Sequence, residues 1–169
     1  MGMPIHKDED NLEEEAHYVG GIVKRIGNFS NDTLDDRKRF QKTVYLIQAF
    51  GIDLGYDFNW YVHGPYSPEL AKVGYKLAEI YDEVKPTEFS DSRYKNRFQD
   101  FLDFVEPISN DVDRLEATAS IHWLQRTNPE LPHDILIDYL LEEEKEELDL
   151  TPEDCEQLWD DMYGFDIVG

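Results

Sequence analysis

At 169 residues, 40% hydrophobic and 13% aromatic, the chain carries enough apolar material for one core and too much for wholesale disorder. Its 38 acidic residues against 16 basic ones give a formal net charge of −22, so its surface repels nucleic-acid phosphates and anionic lipid except at a local basic patch. A single cysteine, Cys155, excludes an internal disulfide and a thiolate zinc cluster, and no apolar run approaches the roughly 20 residues of a membrane span.

Residues 1–10 are polar and read as a flexible N-terminus, with one helical domain expected from 11 to 169. A first helix is predicted over 11–26, because Leu12, Ala16, Val19, Val23 and Ile26 alternate steps of four and three. Asn11 can cap it, and the costly pair Gly20-Gly21 inside it predicts that another element packs closely there. Thr33-Leu34-Asp35-Asp36 resembles a capping box and opens a second helix running to Phe50, with Gly51 as its stop.

A period-two run follows. Tyr56, Phe58, Trp60 and Val62 share one face, and Asp57, Asn59, Tyr61 and His63 the other, which predicts a half-buried strand. Gly64-Pro65 is expected to end it, and either 52–54 or 165–168 to pair with it. Ser67-Pro68-Glu69 is a helix-start signal: a capping hydroxyl, a proline where no donor is needed, and an acid at the positive end. The third helix puts Leu70, Val73, Leu77, Ile80, Tyr81 and Val84 on its core side.

Further helices are predicted over 91–106, 111–126 and 133–147, and from Thr151-Pro152-Glu153 onward with Cys155, Leu158 and Met162 inward. The small-residue run Ala117-Thr118-Ala119-Ser120 marks the fifth as buried among others, whereas Glu142 to Glu147 reads as a charged second half of the sixth. The fold class is therefore mainly α: a compact bundle of six or seven helices with one small β element, a winged-helix-like form included.

No reaction chemistry is legible. Glu14-Glu15-Ala16-His17 has the ExxH spacing of di-iron bundles, but the only other match, Glu130-Leu131-Pro132-His133, carries a proline where a helix must continue. No nucleophile elbow surrounds Ser120, and His122 reads as a core or rim histidine satisfied by a neighbour. Cys155 reads as a helical core residue. HExxH, EF-hand and Walker patterns are absent, so no catalytic residue, metal or cofactor is expected. The acidity reads first as a solubility device, such as a high-salt cytoplasm demands, and otherwise as docking onto a basic partner or mimicry of a nucleic acid.

The scarce basic residues are more telling. Arg37, Lys38, Arg39 and Lys42 occupy the first turns of the second helix, and Arg93, Lys95 and Arg97 open the fourth. Lys72 and Lys76 flank Tyr75 on the outward side of the third, with Tyr66 on a rigid tip before it. Tyr66, Lys72, Tyr75 and Lys76, with Arg37, Arg39 and Lys42, form the expected binding surface.

Phe40-Gln41-Lys42-Thr43-Val44-Tyr45-Leu46, followed by the aromatic run and Tyr61-Val62-His63-Gly64-Pro65-Tyr66-Ser67-Pro68-Glu69-Leu70, resembles the "LQKLVYLLQ … YKYGPYSxEL" signature of YwgA-like proteins. More distantly it is similar to the SocA/Panacea antitoxin-associated domain. Leu115 to Leu124, "LEATASIHWL", resembles a second YwgA-like block. His63 stands where that family usually has an aromatic residue. The resemblance implies a compact helical domain acting in regulation, toxin neutralisation or phage defence, with no catalytic residues.

The function expected is a non-catalytic interaction module, antitoxin-like or defence-associated, that binds another protein in the cytoplasm with no membrane contact. The alternative is a winged-helix-like DNA-binding regulator reading with the third helix, which the net charge disfavours.

Overall fold

Thr33, Ser67, Asp91, Asp111 and Thr151 each place a side-chain oxygen on a backbone amide at a helix start, and these caps set the frame of the fold. The computed structural model describes residues 9–144 and 147–169. In chain order it has α1 (Glu9–Val23), α2 (Leu34–Ala49), β1 (Asn59–Tyr61), β2 (Gly64–Tyr66), α3 (Pro68–Ile80), α4 (Ser92–Val105), α5 (Val112–Thr127), α6 (His133–Glu144) and α7 (Pro152–Gly164). The protein is mainly α with one small β element. Residues 1–8 of the expected flexible N-terminus lie outside the described residues. Because α1 begins at Glu9, Asn11 lies inside the helix and does not cap it. That helix also ends at Val23, short of the expected Ile26, in a turn through Ile26. A 3₁₀ turn, Tyr81–Glu83, follows α3, so Tyr81 and Val84 fall beyond the α-helix.

Two helices form the centre. Every residue from Phe40 to Ile47 of α2 and from Leu115 to His122 of α5 is buried, and the two helices pack on each other. α1 lies along α3, and α6 and α7 pack on α5. The close approach predicted at Gly20-Gly21 is present: a Cβ on Gly20 would meet Leu77 Cδ1, and one on Gly21 would meet Thr87 and the Lys85 carbonyl. Phe50, Phe101, Phe104 and Phe165 form an aromatic cluster with centroids 5.2–6.1 Å apart. Arg97 closes it, its guanidinium over Phe50 and donating to the Phe50 and Phe165 carbonyls at 2.9 and 3.0 Å.

The strand expected over 56–63 is corrected. Only Asn59–Tyr61 is strand, and its partner is neither 52–54 nor 165–168 but Gly64–Tyr66, the segment expected to stop it. Gly64, at φ +86, and the turn at Val62-His63 fold the chain back at once. Pro65 is tolerated because each strand of a two-stranded hairpin is an edge. Upstream, a side chain supplies what a partner strand would: Gln48 Oε1 accepts from Leu54 N and Tyr56 N, and Gln48 Nε2 donates to Tyr56 O at 3.0 Å. Val62, expected on the buried face, is 77% exposed at the turn. β2 lies against α2 and α5, so the hairpin is seated on the body and does not project as a wing would.

Candidate functional site

The motif on α2 and the motif at the hairpin meet. Gln41 Nε2 donates to the Ser67 carbonyl and Gln41 Oε1 accepts from the Ser67 N–H, both at 2.9 Å and both buried. One residue on, Lys42 Nζ donates to the Pro65 carbonyl at 2.7 Å. Ser67 Oγ meanwhile caps α3 through Leu70 N. A Cβ on Gly64 would meet Ser120 Oγ, so glycine also lets the hairpin sit directly on α5. The residues between Gly64 and Ser67 are thereby held by α2, α3 and α5 together.

A cavity of about 260 Å³ opens beside this junction. Leu34, Arg37, Lys38, Gln41 and Lys42 line it from α2, a stripe with helical spacing. Tyr61, Val62, His63 and Tyr66 line it from the hairpin, and Ala71 and Tyr75 from α3. Tyr61 and Tyr66 meet edge to face at 5.2 Å. Leu34, Tyr61, Val62 and Tyr75 are four of the nine large hydrophobic residues exposed among the described residues, so the exposed apolar surface concentrates here. Asn31 lies beside the cavity at 9% exposure, and its buried Nδ2 has no hydrogen-bond acceptor among the described residues.

Of the residues expected to bind, Arg37, Lys42, Tyr66 and Tyr75 line the cavity, and Lys72, Lys76 and Arg39 do not. Lys42 is corrected from a surface cation to a buried one, 1% exposed; burial brings its ammonium down to about 8, against the pull of Glu116. Arg39 pairs with Asp36 at 3.1 Å. Lys72 is exposed beside Glu69, and Lys76 is largely covered beside Glu79. Tyr75 is 55% exposed.

Behind the cavity lies a polar cluster that sequence reasoning missed. Lys38 Nζ stands 2.7 Å from Glu116 Oε1, and Glu116 is fully buried. Burial works against the Lys38 ammonium, but contact with Glu116 outweighs it and raises its pKa. His63 Nδ1 lies 2.8 Å from Glu147 Oε2. Glu144, 6% exposed, turns inward to Glu116, and burial first, then the Glu116 carboxyl, push its carboxyl up. The signals were present. Glu116 interrupts a helix that is buried all round, and Glu144 continues the Leu136–Leu140 stripe by one more step of four.

The other candidates have plain structural places. Glu14 and His17 are exposed, and Glu15 between them accepts from the Tyr56 hydroxyl at 3.1 Å. His122 is satisfied by the Tyr45 hydroxyl at 2.7 Å. Cys155 is buried, and burial pushes its thiol up to about 11, far from a reactive thiolate. Among the described residues no helix is long and apolar enough to cross a membrane. No family model, curated protein or solved structure matches the chain.

Proposed function

We infer that the protein is a non-catalytic interaction module whose receptor element is the cavity between α2, the hairpin and α3. The observation that carries this reading is the convergence of Leu34, Tyr61, Val62 and Tyr75, all exposed, on one cavity held by the Gln41–Ser67 and Lys42–Pro65 bonds. Aromatic side chains on a rigid frame lose little entropy on binding. The occupant is a segment of a partner protein that inserts one apolar side chain. Its backbone carbonyls accept from Arg37. The net charge of −22 steers basic proteins toward the surface, so the partner's body is basic.

An antitoxin-like or defence-associated regulator in the cytoplasm, neutralising a basic effector, fits both this surface and the motif resemblance. The DNA-binding alternative has weaker support. The α3 cations Lys72 and Lys76 stand beside Glu69 and Glu79, and the hairpin is packed on the body. Titration calorimetry of the wild type against the products of the flanking genes, and against duplex DNA, tests the reading. Saturable one-to-one binding of a basic protein supports it. Specific DNA binding with a steep salt slope and no protein partner overturns it.

A further inference from the structure

We propose that His63, Glu116, Glu144 and Glu147 form a binding site for one first-row divalent cation, of the Mn²⁺, Fe²⁺ or Zn²⁺ class. This departs from the expectation of no metal drawn from the sequence, and it stands independently of the docking reading. One ligand atom from each of the four residues falls within 4.8 Å of all the others. In octahedral geometry, ligands at about 2.1 Å lie about 3 Å from their neighbours and about 4.2 Å from the opposite ligand, whereas in the tetrahedral geometry usual for Zn²⁺ every pair lies about 3.4 Å apart. The His63–Glu147 separation of 2.8 Å is close to that of neighbours, and a widest pair of at most 4.8 Å closes by about 0.6 Å in octahedral geometry and by about 1.4 Å in tetrahedral geometry.

Two buried carboxylates make this more than an acidic patch. Glu116 is fully buried and Glu144 is 6% exposed, yet Oε2 of each has no hydrogen-bond donor among the described residues. Lys38 answers only one oxygen of Glu116, so a single ion in place of a proton between the two carboxyls satisfies both Oε2 atoms at once. Lys38 at Glu116 Oε1 leaves Oε2 for the ion and orients the carboxylate, as an outer-shell partner does. Lys42 also faces Glu116 and Glu144, but its ammonium is engaged by the Pro65 carbonyl. One imidazole nitrogen with carboxylate oxygens suits Mn²⁺, Fe²⁺ or Zn²⁺ over the all-oxygen preference of Ca²⁺ and Mg²⁺. His63 and Glu147 are the partly exposed members and give the ion its way in. Since His63 sits in the hairpin turn, the ion ties that turn to α5 and α6.

The test is to strip the full-length protein with a chelator, then titrate with MnCl₂ and separately with ZnCl₂ at high salt, which screens loose binding to the acidic surface. One ion per chain should bind. His63→Ala and Glu147→Gln, both outside the core, should each weaken binding by roughly tenfold or more. The surface control Glu142→Gln/Glu143→Gln should match the wild type. Bound Mn²⁺ should broaden the His63 ring resonances before those of any other histidine. Absence of saturable uptake overturns the site and leaves the Glu116 and Glu144 carboxyls sharing a proton. Uptake undiminished by His63→Ala, or broadening centred elsewhere, overturns it as adventitious binding.

Discussion

Gln41 on α2 and Ser67 before α3 exchange two hydrogen bonds of 2.9 Å, a reciprocal polar link between segments 26 residues apart. Both residues are buried, at 3% and 1% exposure. Gln41→Ala strands the Ser67 N–H and carbonyl in a dry place, so it should lower stability by about 1–3 kcal/mol. Urea denaturation checks this, and a neutral result would mean that the bracket does not hold the junction.

Gly21→Ala offers a test in which two effects have opposite signs. In a helix interior alanine should gain up to about 1 kcal/mol over glycine. Here the new methyl would meet Thr87 and the Lys85 carbonyl, and the Gly21 carbonyl already accepts from Thr87 N at 2.8 Å. Overpacking against backbone should win and destabilise by about 1–3 kcal/mol. A higher melting temperature would contradict the packing described.

His122 should remain neutral well below the ordinary histidine range. Burial first, then the Arg126 charge, bring it down to about 4. The unfolded chain therefore binds the extra proton between about 6.5 and about 4, where the folded protein does not. Its contribution is constant above that window, is lost as pH falls through it, and levels off below about 4, a change of about 2–4 kcal/mol. An NMR titration of the imidazole reads the midpoint directly. A midpoint near 6.5 would show that the Tyr45–His122 contact opens to water.

Helix positions were legible because caps are local: Thr33, Ser67 and Thr151 announce α2, α3 and α7 within a few residues. The strand was overread because alternation reports which faces are buried and not what pairs with the backbone. Tyr56 and Phe58 are indeed buried, but Gln48 satisfies the extended segment at Leu54 and Tyr56. Tyr66 and Tyr75, which line the cavity, were legible because an aromatic on a rigid turn, or on the outward side of an amphipathic helix, stands out. The polar cluster was not found, since Glu144 belongs to a run that reads as solvated and Glu116 meets it only when α5 and α6 pack together.

The central claim, that the cavity is the docking site, is tested most directly by partner affinity in Val62→Asp and Tyr75→Ala. Both side chains are largely exposed, at 77% and 55%, so folding and melting temperature should not change. Against a partner protein bound by the wild type, each variant should lose roughly tenfold or more in affinity, as truncation of a hot spot does. Lys72→Glu, outside the cavity, should change it little. Wild-type affinity in both cavity variants, with the loss appearing in Lys72→Glu instead, would place the binding surface on the outer side of α3 and contradict the account.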